Sequence, residues 1–358
     1  MIRIDEIYYN TFLPQIQANP RGAMHWFDPF GSVSFEDLCA EPAVDHGHDT
    51  VRYLFWDQEP LHKNTTDPTL SQFVINFPKG QRHLITSEQN SEFVEQACDT
   101  YGFTAHYYFF HGWAALDWFR GYDRSFLIPR AKRRSPGKTF MSPNRIVSGM
   151  RDHRVLFLYN VFKQQLQHNY ISAPRICPYS GENILEIAAG HANTYPDIKD
   201  VFSQVELPRY FAGEAQQEMS SYQLGNWQEA SDSLVYVATE TVYYGRRQHL
   251  TEKTFKAMAL EMPFILVAAA GSLEYLKSYG FQTFGGIWDE SYDNETDPVR
   301  RVEKVTQLLK ELDSLNQHDR QHIHDLCVPI VEHNYVHFYS GSFERVLWKE
   351  LTGMLHDF

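Results

Sequence analysis

Asp232–Ser233–Leu234–Val235–Tyr236–Val237–Ala238 is an apolar, β-branched and aromatic run that reads as a buried strand. Glu240 stands just past its end, and a loop then leads into Thr251–Glu252–Lys253–Thr254–Phe255–Lys256–Ala257–Met258–Ala259–Leu260. That stretch reads as a helix with Thr251 as its N-cap. Pro263–Phe264–Ile265–Leu266–Val267–Ala268 is the next strand, and Gly271 opens a helix over Ser272–Leu273–Glu274–Tyr275–Leu276–Lys277. Strand and helix in strict alternation call for a parallel sheet covered by helices, an α/β layer.

The same alternation is found nearer the start. Thr50–Val51–Arg52–Tyr53–Leu54–Phe55–Trp56 reads as a strand closed by Pro60, and His83–Leu84–Ile85–Thr86 as a second. Ser91–Glu92–Phe93–Val94–Glu95–Gln96–Ala97–Cys98 has helical spacing, and Ala105–His106–Tyr107–Tyr108–Phe109–Phe110 reads as a further strand. Between the halves, Arg130–Ala131–Lys132–Arg133–Arg134 runs into Ser135–Pro136–Gly137, a basic, turn-forming linker. This cluster is either a solvated interdomain loop or a contact for an anionic ligand. Arg154–Val155–Leu156–Phe157–Leu158–Tyr159–Asn160–Val161–Phe162 begins a helix just beyond it. The expected organisation is an N-terminal α/β domain over 1–135, a second over 136–335, and a C-terminal helix over 336–358 that packs back on the first.

At 358 residues the chain exceeds the size at which one core stops growing, which favours two domains. No apolar stretch is long enough to span a bilayer. The first ten residues lack the basic-then-apolar run of a signal peptide, so a cytoplasmic location is expected. Cys39, Cys98, Cys177 and Cys327 lie far apart with no CxxC pair, which suits free thiols. A net charge of −13 argues against a broad nucleic-acid-binding face. No glycine-rich dinucleotide or ATP loop occurs.

Chemistry concentrates between residues 236 and 253. Glu240 sits at the carboxyl end of a strand, and Thr251, Glu252 and Lys253 lie at a helix start, where free N–H groups favour an anion. A lysine there opposes the helix dipole unless it faces a phosphate. A carboxylate beside it can accept hydrogen bonds from sugar hydroxyls. The plainer alternative makes Glu252 a capping carboxylate and Lys253 a solvated charge.

This segment resembles the signature of the inverting α-1,3-fucosyltransferases, in which a strand ending Phe-Glu-Asn-Ser leads to Tyr-Val-Thr-Glu-Lys at a helix start. Glu240 matches the first glutamate, Thr251–Glu252–Lys253 match Thr-Glu-Lys, and Pro263–Phe264–Ile265–Leu266–Val267 is similar to the strand that follows. Thr241 stands in place of the family's asparagine, His249 in place of its tyrosine, and the loop is two residues longer. Phe140–Met141–Ser142–Pro143–Asn144, followed by Arg145, Arg151 and Arg154, resembles the family's segment whose arginine grips the donor diphosphate. Arg154 is the first choice and Arg151 the reserve. Trp56–Asp57–Gln58–Glu59–Pro60 looks like the Glu-Ser-Pro motif of the acceptor domain; Glu59, or else Asp57, then serves as the base, unless both are turn carboxylates.

The resemblance implies a GT-B fold: two Rossmann-like domains facing across a cleft. It also implies an inverting, metal-free transfer from a GDP- or UDP-sugar, itself the substrate, with no further cofactor. Glu240, His249, Thr251, Glu252 and Lys253 would line the donor site with the arginines. The acceptor would be a glycan hydroxyl or, as in phage-type enzymes, a modified DNA base, which the negative charge disfavours. A chain that binds nucleotide sugars without catalysis is the other alternative. Asp45–His46–Gly47–His48–Asp49 and the histidines at 318, 322 and 324 read as loop and polar helix surface rather than metal ligands. Tyr107, Tyr108, Trp113 and Trp118 are either core or a sugar-stacking platform.

Overall fold

A computed structural model describes residues 3–27, 47–119, 130–211 and 227–356. Cys39, Asp45 and His46 lie outside the described residues. The chain is mixed α/β with two parallel sheets, each in its own compact unit. The first unit comprises Met1–Asp117, Gly245–His249 and Gly341–Phe358; the second comprises Trp118–Tyr244 and Leu250–Ser340. The sequence boundary expected at 135 therefore differs from the structural one at 117. The turn-forming residues 135–137 mark a loop inside the second unit, where Gly137 N donates to Asp232 Oδ1 at 3.0 Å.

The first sheet has the order β1-β2-β3-β4, all parallel, from Gly22–Trp26, Val51–Trp56, Gln81–Thr86 and Thr104–Tyr107. Strand geometry sends alternate side chains to opposite faces. Leu54, Trp56 and Leu84 accordingly share a core with Leu70, Val94 and Phe103, while Phe55 meets Tyr8 and Phe12 of the N-terminal helical segment. The helix Glu92–Tyr101 begins at Ser91, whose Oγ caps Val94 N, and ends at Gly102 in the left-handed region (φ 69°). The expected strand over 105–110 is cut short. Tyr107 ends β4 and Phe110–Phe119 is helical, so Tyr108 and Trp113 are core residues.

The second sheet has the order β6-β5-β7-β8, again all parallel, from Asn169–Ile171, Lys138–Ser142, Ser233–Thr239 and Phe264–Val267. β7 is buried along its whole length, as a strand flanked on both edges and covered on both faces should be. The helices His153–Lys163 and Glu252–Ala259 follow β5 and β7, and Ser272–Ser278 follows β8 through Gly271 (φ 83°). Pro298–Asp313 starts with Asp297 as N-cap and packs Val302, Val305, Leu309 and Leu312 inward.

Two expectations about charged surface change. Arg134 is buried, donating to the carbonyls of Leu260 and Glu261, and Arg130 pairs with Glu261 at 2.5 Å; only Lys132 and Arg133 are exposed. His324 is buried with Nε2 2.8 Å from Ala131 O, while His318 and His322 stay on the helix surface. The cluster at 130–134 is therefore largely a tie within the second unit, since a buried guanidinium must find acceptors.

Candidate functional site at the carboxyl edge of the second sheet

The chain runs β5, β6, β7, yet β5 lies between β6 and β7. The direction of strand addition reverses there, and open α/β sheets bind ligands beyond the carboxyl ends of strands at such a switch point. Ser142 and Thr239 end the two strands. Asn144 joins them: its Nδ2 donates to Ser142 O and Oγ at 3.1 Å, and its Oδ1 accepts from Thr239 Oγ1 at 2.9 Å. Its backbone N–H donates to Ser172 Oγ at 2.8 Å. Every polar atom of that side chain is used, which suits a buried residue.

Glu240 follows at once, with its carboxylate turned onto the start of the helix Glu252–Ala259. Oε1 accepts from Thr251 N (3.1 Å), Thr254 N (3.2 Å) and Thr254 Oγ1 (2.6 Å). Oε2 accepts from Thr251 Oγ1 (2.6 Å) and Thr241 N (3.2 Å). Glu240 is wholly buried. A helix start offers unpaired N–H groups and positive potential, and here a carboxylate from the neighbouring strand end already occupies it. Thr254 carries no functional expectation from the sequence, because a threonine in a helical first turn gives no functional signal by itself.

Thr251 is the N-cap, accepting from Lys253 N at 3.4 Å. Lys253 Nζ lies 2.9 Å from Glu252 Oε1, 3.1 Å from Thr251 Oγ1 and 3.2 Å from Thr241 Oγ1. Its side chain is 27% exposed and that of Glu252 only 8%. Of the charged groups gathered here, the ammonium is the one held in place yet open to solvent.

Arg154 takes a different position from the one its resemblance implies. It is 3% exposed, and its terminal nitrogens donate to Ile146 O (2.8 Å), Thr239 O (2.8 Å) and Glu240 O (3.3 Å). Burial, with Arg151 nearby, brings its pKa down to about 9, against the pull of Glu240 and Glu252. Arg154 ties the loop after β5 to the end of β7. The guanidinium is used on backbone carbonyls. Arg151 and Arg145 are half-buried on the same loop.

The remaining expected residues belong to the first unit. Asp57 follows β2, is fully buried and accepts a hydrogen bond from Tyr8 OH. Burial raises its carboxyl to about 7 although the Tyr8 bond acts the other way. Glu59, two residues on, is half-buried. His249 has Nδ1 3.2 Å from Ser87 O and its ring edge-on to His111 at 4.9 Å. Beside it, Arg247 pairs with Glu88 at 3.6 Å, both buried, and donates to Leu61 O. The structure thus brings together Glu240, Thr251, Glu252, Lys253 and Arg154 in one unit, and Asp57, Glu59 and His249 in the other.

No protein-family model matches this chain, and no curated protein matches its sequence. Among the described residues no cluster of three or more His, Cys, Asp or Glu is arranged to hold a metal, and no helix is long and apolar enough to cross a membrane. A groove of about 670 Å³ lies elsewhere in the second unit, where Tyr159, Lys163, Arg300 and Lys304 contribute to its walls.

Proposed function

We propose that the chain is a glycosyltransferase whose nucleotide-sugar donor binds at the carboxyl edge of β5 and β7. The two α/β units would then take the GT-B arrangement and face each other across a cleft. The observation that carries this reading is the gathering of Glu240, Glu252, Lys253 and Arg154, from three separated stretches, at the switch point of a parallel sheet. Lys253 meets the diphosphate of a GDP- or UDP-sugar and Glu252 accepts from a sugar or ribose hydroxyl. Glu240 and Arg154 hold the two loops. Glu59 takes the proton of the acceptor hydroxyl as that oxygen attacks the anomeric carbon with inversion; the bond from that carbon to the diphosphate breaks, the nucleoside diphosphate leaves with the electron pair beside Lys253, and charge placement supplies most of the catalysis. The acceptor is a glycan hydroxyl in preference to a DNA base, given the net charge of −13.

Calorimetry with GDP- and UDP-sugars tests the reading. Wild-type protein binds one of them, and Lys253→Ala weakens that binding by roughly 1.5–3 kcal/mol, the range for charged hydrogen bonds. If neither binds, the reading fails. A second reading, binding without turnover, is favoured by one observation: Asp57, one of the two candidate bases, is sealed beneath Tyr8. Transfer or hydrolysis of the bound donor that is lost in Glu59→Gln separates the two.

A further inference from the structure

We propose that Thr251 is a positioning residue for the Lys253 ammonium; this rests on the reading that the edge of β5 and β7 binds a nucleoside diphosphate. A threonine hydroxyl carries one proton and two lone pairs, and an ionised carboxylate can only accept. The 2.6 Å contact from Thr251 Oγ1 to Glu240 Oε2 therefore consumes the one hydroxyl proton of Thr251. Its lone pairs are left for Lys253, whose Nζ lies 3.1 Å away and whose backbone N–H lies 3.4 Å away.

Lys253 Nζ has three N–H bonds, and three acceptors surround it: Thr251 Oγ1, Thr241 Oγ1 and Glu252 Oε1. The two hydroxyls sit close to the backbone, at the helix cap and the strand end, and have little freedom. Glu252 is the partner that an incoming phosphate oxygen can replace, being charged like the phosphate and carried on a longer side chain. Glu240 is itself held by five donors, so the orientation passes from a rigid carboxylate through one hydroxyl to the ammonium. Because Glu240 already covers the helix start, a bound phosphate is drawn to the ammonium rather than to the helix N–H groups. Fixing Nζ beforehand lowers the ordering cost of binding.

The test uses the full chain, GDP and UDP as calorimetric probes, and Thr251→Val, Thr251→Ser, Glu240→Gln and Lys253→Ala. Thr251→Val keeps the shape without the hydroxyl and is expected to weaken binding about tenfold or more while circular dichroism shows it folded. Thr251→Ser, which restores the hydroxyl, stays within about threefold of wild type, a rescue that simple loss of side-chain packing would not produce. Glu240→Gln weakens binding on its own and adds little to Thr251→Val, since both break the same chain. If Lys253→Ala abolishes binding but folded Thr251→Val binds like wild type, the positioning role is wrong and the phosphate site stands. Equal loss in the serine and valine variants likewise overturns it. If wild type binds neither probe, the underlying reading fails and this inference with it.

Discussion

Arg154 illustrates how a charged side chain divides between binding and holding. Its donors meet the carbonyls of Ile146, Thr239 and Glu240, and removing them takes a charged donor from each. Arg154→Ala is expected to lower unfolding free energy by roughly 3 kcal/mol or more in urea titrations, since hydrogen bonds from a charged donor contribute about 1.5–3 kcal/mol each. Lys253→Ala, at a partly exposed position, should change stability by less than about 1 kcal/mol while losing nucleotide affinity. Asp57 makes a pH prediction. Its carboxyl is raised from 3.8 to about 7 by burial, so between those values the folded chain keeps a proton that the unfolded chain has released. Stability falls as pH rises through that window, by an amount on the order of 3–4 kcal/mol if nothing compensates. Asp57→Asn should flatten the slope of unfolding free energy between pH 4 and 7; a slope as steep as in wild type would assign it to other groups.

At the scale of elements, the helix Glu252–Ala259 is too short to persist alone, and its start is secured by another element's side chain. An ordinary N-cap contributes about 1 kcal/mol, whereas Glu240→Ala removes acceptors from Thr241, Thr251 and Thr254 together and should cost about 2–4 kcal/mol. Hydrogen exchange at the Thr251 and Thr254 amides should rise in that variant before exchange in β7 does. A tight approach of a different kind starts β1. A Cβ on Gly22 would stand 2.4 Å from Ile16 O and 3.1 Å from Asn19 O, both backbone atoms. Gly22→Ala must push the preceding helix off the strand, and a loss of about 1–3 kcal/mol in thermal or urea unfolding is expected.

At the scale of the whole molecule, the first unit takes residues from distant parts of the chain. Gly245–His249 pairs with it through Gln89 and Gln248 and through the buried Arg247–Glu88 contact. The helix Ser342–Leu355 buries Phe343, Leu347 and Leu351, and Trp348 packs edge-on to Trp113 at 4.9 Å. A fragment of residues 1–135 lacks both pieces. It should show no cooperative urea transition by Trp fluorescence, where the full chain shows one; a sharp transition in the fragment would mean those pieces are dispensable.

The amino-acid sequence by itself determined the α/β class, the positions of β2, β3, β7 and β8, and the Thr251 cap. β-branched runs and N-cap residues act over a few positions, and the neighbouring residues are enough to read them. Tertiary structure decided which of Glu240, Arg154 and Lys253 holds the scaffold and which faces solvent, and it placed Gly245–His249 with the first sheet. A buried charge takes whatever donors or acceptors the fold brings within about 3 Å, and those come from stretches up to a hundred residues or more away in the chain. Spacing along the sequence carries no record of them.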